Sequence, residues 1–196
     1  TINRPTIVVA APGVYHCPLE YARIGKPIYC VELFMTTGYS GVDLGEDLKE
    51  IRVPEPSYKR YFIQDVIKDN KWGGEGISLS AVPEHIMPAG ARVSMTLTAV
   101  RKPYMFHAPT HKHSFTEFFY FFGSNPMDMN EFDAEIEFTF GEEGEKHIID
   151  RPTVVVAPPG VYHCPLNYAK VNKPFYCLEL FMTPTYSGTD LKLQKA

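Results

Sequence analysis

His111, His113 and Glu117 sit at odd positions of the stretch "HKHSFTEFFYFFG", residues 111–123. Extended backbone sends residues i, i+2 and i+4 to one face. Read as a strand, the stretch lines His111, His113, Phe115, Glu117, Phe119 and Phe121 along one side. Two imidazoles and a carboxylate at the end of an aromatic wall form a donor set for a divalent transition metal. Fe, Mn, Ni, Zn and Cu all accept such donors, and geometry rather than affinity selects among them. A single strand histidine is ordinarily just hydrogen-bonded, but two at i, i+2 with a carboxylate at i+6 are a sharper pattern. A fourth ligand must come from elsewhere. The best candidate is His163, three residues after the tight "PPG" turn at 158–160.

The opposite face of the stretch carries Ser114, Thr116, Phe118, Tyr120 and Phe122. A strand apolar on both faces is covered on both sides. One face then looks into a barrel, and the other packs on a second sheet, a second domain or another subunit.

The elements that must position these residues read as β structure. Aromatics make up 13% of the 196 residues, and 17 prolines punctuate runs rich in Val, Ile, Thr and Tyr. "ARVSMTLTAV" (91–100) alternates Val93, Met95, Leu97 and Ala99 against Ser94, Thr96 and Thr98. "AEIEFTFG" (134–141) alternates Ile136, Phe138 and Phe140 against Glu135, Glu137 and Thr139, ahead of a "GEEG" turn. Residues 152–166 read as two short strands around the Pro-Pro-Gly turn, and "KPFYCLELFMT" (173–183) closes the unit. Close-set turns and almost no amphipathic helix predict an all-β sandwich or barrel. A net charge of −4 supplies no broad basic field, which argues against a nucleic-acid partner. No apolar run approaches the roughly 20 residues that span a bilayer as a helix.

The chain also repeats itself. Residues 1–44 align without a gap to residues 148–191 at an offset of 147; 31 of the 44 positions are identical and 13 differ. The chain is therefore expected to hold the orphan C-terminal half of a preceding repeat (1–44) and one complete domain (45–196). His16 repeats His163, but no His-x-His stretch precedes it, so His16 is expected to be structural or incomplete as a ligand. The orphan strands either dock on the complete barrel as the tail of a truncated tandem protein, exchange with another subunit, or compete for the same barrel. The first is favoured, and the aromatic face at 117–122 is one plausible cover for them. Cys17 and Cys30, like Cys164 and Cys177, stand thirteen residues apart without a CxxC motif. Buried thiols are expected, with one cross-strand disulfide per copy as the alternative.

These motifs resemble those of the cupin superfamily. Its first motif, G-x5-H-x-H-x3,4-E-x6-G, is matched by His111, His113, Glu117 and Gly123. Its second, G-x5-P-x-G-x2-H-x3-N, is matched by Pro158, Gly160, His163 and Asn167. Met105 and Pro152 replace the two leading glycines, and five residues rather than six separate Glu117 from Gly123. The resemblance covers roughly residues 75–183. It implies a double-stranded β-helix, the cupin jelly-roll barrel, here with extra N-terminal strands from the duplicated half-domain. It also implies one metal held by His111, His113, Glu117 and His163.

The expected function is that of a metal-dependent cupin enzyme of oxygenase or isomerase type, acting on a small organic molecule inside the barrel. The metal would serve as Lewis acid or redox centre. Phe115, Phe119, Phe121 and Val161 are the expected pocket walls, with His107 at the mouth. Apolar walls favour an aromatic or poorly charged substrate. Arg92 or Arg101 turning inward would weaken that preference. A non-catalytic sensor or structural module is the alternative, and a metal-free isomerase with His111 or His163 as general base is a third reading. A homo-oligomer, most simply a dimer, and a cytoplasmic location complete the expectations.

Overall fold

The computed structural model describes residues 6–8, 21, 23–26, 28–32, 62–64, 67–69, 75–78, 93–106, 109–183 and 187–191. His16, His85 and His107 lie outside the described residues, as do Arg92 and Trp72.

The period-two runs become short strands, and every strand pair is antiparallel. β1 (Thr6–Val8) and β2 (Phe62–Gln64) form a two-stranded ribbon. β3 (Lys68–Asp69), β4 (Glu75–Ser78) and β5 (Ser94–Val100) enter one sheet with β8 (Glu117–Gly123), β11 (Thr153–Ala157) and β13 (Phe175–Phe181), in the order β11-β8-β13-β5-β4-β3. The other six-stranded sheet is built from β6 (Tyr104–Phe106), β7 (His111–Lys112), β9 (Ala134–Phe140), β10 (Glu145–Ile149), β12 (His163–Val171) and β14 (Thr189–Asp190). Its order is β10-β9-β12-β7-β14, with β6 also paired to β12. Among the described residues no helix is long and apolar enough to cross a membrane. The fold is the all-β, two-sheet barrel that the cupin resemblance implies.

Alternation decides which residues close the core. Along β8 burial alternates without a break: Glu117, Phe119, Phe121 and Gly123 are buried, and Phe118, Tyr120 and Phe122 are half-buried. Phe119, Phe121, Ile136, Phe138, Leu166 and Phe175 pack as one cluster with the inner residues of β12 and β13. Two sheets meeting through such faces need close interdigitation, which aromatic rings supply over large areas.

One detail departs from the expected pattern, and a second is left open by it. Residues 111–123 are not one strand but two, β7 and β8, in different sheets, with residues 113–116 turning the corner between them. The burial alternation runs through that corner, so His111, His113, Phe115 and Glu117 still share the inner side. On β5 the face that turns inward is the Ser and Thr face. Thr98 pairs with Cys177 and Val100 with Phe175, all four buried, while Met95, Leu97 and Ala99 stay half-buried on the outside. An alternation of small polar against apolar residues does not state which face is inside when both faces are covered.

Part of the outer face is covered from within the chain. Tyr29, from the first copy of the repeat, packs edge-on against Phe122 and Tyr176 at centroid distances of 5.8 and 5.2 Å. Its hydroxyl donates to the Gly123 carbonyl at 2.6 Å. Cys164 and Cys177 are buried free thiols and Cys30 is an exposed one; Cys17 lies outside the described residues.

Candidate metal centre

Each ligand candidate reaches the centre from a different local structure. His111 lies on β7 and His113 just past its end, where the chain leaves for the other sheet. Glu117 opens β8, and its inner side is walled by Ala157 of β11 and Phe181 of β13. His163 opens β12 and pairs with both His111 and Phe140. The turn before it needs a glycine, because Gly160 has φ +82°. The Gly160 N–H donates to the His113 carbonyl at 2.8 Å, tying this turn to the corner. After His163 the register slips before Leu166, with Cys164 at φ 71°. Such a bulge re-aims the side chains beside it.

The four side chains are buried, and their donor atoms all lie within 4.8 Å of one another. All three imidazoles are held through Nδ1. That atom lies 2.6 Å from the Pro109 carbonyl in His111, 2.5 Å from the Ser187 carbonyl in His113 and 3.1 Å from the Val161 carbonyl in His163. A carbonyl only accepts, so each Nδ1 carries a proton, and in the neutral ring each Nε2 presents a lone pair. His113 Nε2 and His163 Nε2 stand 3.1 and 3.2 Å from Glu117 Oε2. Lone pairs facing a carboxylate at that distance repel unless a cation, proton or metal, lies among them. The donor set therefore fits a divalent transition metal, and the backbone carbonyls fix the ring tautomers as outer partners of metal-bound histidines do.

Protonation follows the same balance. Burial would raise Glu117, but hydrogen bonds from His113 and His163 hold it below the usual carboxylate value. Burial would lower His113, and the Glu117 carboxylate with the Ser187 carbonyl more than reverses this. Burial lowers His111.

The expected wall residues have distinct surroundings. Phe115 stacks on His113, with centroids 4.5 Å apart and planes 11° from parallel. Phe119 meets His163 and Phe138 edge-on, at 5.9 and 4.9 Å. Phe121 lies further along, enclosed between Phe138 and Phe175. Val161 is half-buried, two residues before His163, and Arg101 is exposed.

Residues 187–191 are a part of the site that the motifs do not contain. Asp190 pairs with His111, Leu191 N–H donates to the Thr110 carbonyl at 2.7 Å, and Ser187 anchors His113. A Cβ on Gly188 would lie 3.1 Å from His113 Cε1 and 3.3 Å from His111 Cδ2, so the backbone itself packs on both rings. "SG" in a polar tail gives no warning of this. The signal lies in tertiary contact alone.

Two antiparallel sheets closing on a buried three-histidine, one-glutamate cluster define a β-barrel protein with a candidate metal centre. The chain resembles the cupin superfamily, in the motif residues that converge here and in the barrel that carries them. No protein-family model and no curated protein matches the chain. Among solved structures it is similar to the oxalate decarboxylase of Lactobacillus farciminis in its formate complex, with TM-score 0.44 and 16% identity over 67% of this chain and 36% of that one. It is also similar to an oxalate oxidase, with TM-score 0.41 and 14% identity over 63% and 57%. The Fe(II) form of HppE matches with TM-score 0.34 and 14% identity over 47% and 44%. The chain thus spans between 36% and 57% of the length of these structures.

Proposed function

We propose that this protein is a metal-dependent cupin enzyme, of oxygenase or isomerase type, whose small organic substrate enters the barrel beside His111, His113, Glu117 and His163. The carrying observation is the set of three imidazoles held through Nδ1, with their lone pairs gathered around one buried carboxylate. A divalent transition metal bound there supplies a Lewis acid or redox centre. The chain's own part is to orient the ligands, to keep Glu117 ionised, and to exclude water with Phe115 and Phe181, whose rings meet edge-on at 6.4 Å. Phe115 and Val161 serve as the apolar side of the substrate space, with His107 at its mouth, while Phe119 and Phe121, expected as walls, pack in the core behind it, 2% and 1% exposed.

A second reading is favoured by one observation. His111 and His163 belong to one sheet and Glu117 to the other, so a bound metal would clamp the two sheets together. In that reading the centre is a structural brace or part of a small-ligand sensor. Elemental analysis of protein purified without a chelating tag, followed by chelation and thermal melting, separates the readings. Stoichiometric iron and a small loss of stability on chelation support the oxygenase reading. Zinc with collapse of the melting temperature supports the brace, and a chain with no metal overturns both.

The same proposal takes residues 1–44 as the tail of a preceding repeat and 45–196 as the complete barrel. It takes the protein as a homo-oligomer, most simply a dimer, joined through apolar outer strands. Buried free thiols fit the reducing cytoplasm.

A further inference from the structure

Strand β13 turns Phe175, Cys177, Glu179 and Phe181 inward, which places one acid on an otherwise apolar wall. The register sets Glu179 opposite Phe119 of β8 on one side and Thr96 of β5 on the other. Glu117, paired with Phe181, is its diagonal neighbour. Phe119 is 2% exposed, Cys177 1% and Phe181 8%, whereas Glu179 and Thr96 keep accessible surface. Because the register turns Glu179 inward, the surface it keeps lies on the inner side of the sheet. Its carboxyl is nevertheless largely desolvated by the surrounding protein. Burial first, and then the Glu117 charge, push it up to about 8.

Among the described residues nothing donates to Glu179 and no cation pairs with it. Polar groups within its electrostatic reach serve each other: Tyr168 hydrogen-bonds with Cys177, and Tyr104 with Tyr168. Ser94, diagonal to Glu179 on the inner face of β5, has a fully buried Oγ with no partner. Buried polar groups are ordinarily satisfied. Glu179, which keeps surface on the inner side, and the buried Ser94 Oγ beside it are two such groups left without a partner on one wall, a need that a bound molecule would meet.

We propose that Glu179, with Ser94 and Thr96 beside it, is a recognition strip that takes a hydroxyl or amino group of a small organic substrate whose other end reaches the metal centre. The word substrate rests on the enzyme reading above; the strip itself rests on β5 and β13. It adds a polar requirement to the apolar walls, so a purely hydrocarbon ligand leaves Glu179 and Ser94 unsatisfied. A site built to hydrogen-bond a ligand group rejects the analogue that lacks it far more strongly than an apolar pocket discriminates size.

Benzylamine, benzyl alcohol and toluene share a ring and differ in the donor, which makes them suitable probes. Their binding to purified wild type, Glu179→Gln and Thr96→Val is measured by ligand-observed NMR, with metal content determined on the same samples. Wild type is expected to bind benzylamine or benzyl alcohol at least about ten-fold more tightly than toluene. Glu179→Gln is expected to lose that preference with toluene binding and metal content unchanged, and Thr96→Val to lose part of it. Equal affinities for the three probes in wild type, or an unchanged ranking in Glu179→Gln, would overturn the strip. Discrimination without bound metal would overturn the enzyme reading and leave the strip standing, so the two failures are distinguishable.

Discussion

His113 Nε2 lies 3.1 Å from Glu117 Oε2, while His113 Nδ1 donates to the Ser187 carbonyl from 2.5 Å. One ring thus joins the first-motif carboxylate to a segment 74 residues later. This relationship makes the centre sensitive to pH. His113 is raised above its ordinary 6.5 and Glu117 lowered below its ordinary 4.5. In metal-free protein, His113 therefore contributes stability fully present below pH 6.5 and lost as pH rises through its folded value. The Glu117 contribution is present above pH 4.5 and lost as pH falls through its lower folded value. The pair stabilises the apo barrel most between about pH 4.5 and 6.5. Metal binding needs the proton off His113 Nε2, so apparent metal affinity is expected to keep rising with pH above 6.5. Competition titrations against a chelator from pH 5.5 to 8.5 measure this, and a flat profile would contradict it.

Gly188 packs its backbone on the rings of His111 and His113. Gly188→Ala is expected to push both rings and weaken metal binding about 10–100-fold, the range seen when outer partners of metal ligands are lost. The far-UV CD spectrum should stay unchanged. Affinity equal to wild type would show that residues 187–191 only cover the site.

Glu179 carries its own pH signature. Its folded value of about 8 stands above the ordinary 4.5, so its stabilising contribution is complete below pH 4.5 and is lost as pH rises to about 8. The slope it adds is at most about 1.4 kcal/mol per pH unit. Urea unfolding of metal-free protein from pH 5 to 8 should show a steeper decline for wild type than for Glu179→Gln. Parallel curves would mean that Glu179 ionises as freely in the barrel as in the unfolded chain.

Tyr29 tests whether the first copy of the repeat supports the complete barrel. Its two edge-on ring contacts, each worth about 0.5–1.5 kcal/mol, and its bond to Gly123 lie on the outer face, away from the candidate metal ligands. Tyr29→Ala is expected to cost about 1–3 kcal/mol of stability with metal content unchanged. Unaltered unfolding would mean that residues 28–32 rest on the face without stabilising it.

The convergence of the His-x-His stretch, Glu117 and His163 was legible because strand alternation and a Pro-Pro-Gly turn are local signals, and the ligand candidates sit on them. The alternation of β8 and β9 also carried through, since each has a face that must close the core. The break between β7 and β8 was not legible: alternation continues across the corner, and only hydrogen-bond partners show that the sheet has changed. The inward face of β5 was hidden for a different reason. Met95 and Leu97 look like core residues, yet they belong to an outer face that is itself half-buried. The carbonyls of Pro109, Val161 and Ser187 that fix the three imidazoles leave no mark in the sequence, because any residue offers the same acceptor. Glu179 did leave one, an acid where "FYCLELF" should alternate apolar residues inward.

His111, His113, Glu117 and His163 are proposed to hold one metal. Anomalous diffraction recorded on both sides of the iron, manganese and zinc absorption edges, from crystals of untagged protein, tests this most directly. A single strong anomalous peak is expected within bonding distance of the three Nε2 atoms and the Glu117 carboxylate. Ordered water or an empty map there, with all four side chains in place in metal-supplemented crystals, would contradict it.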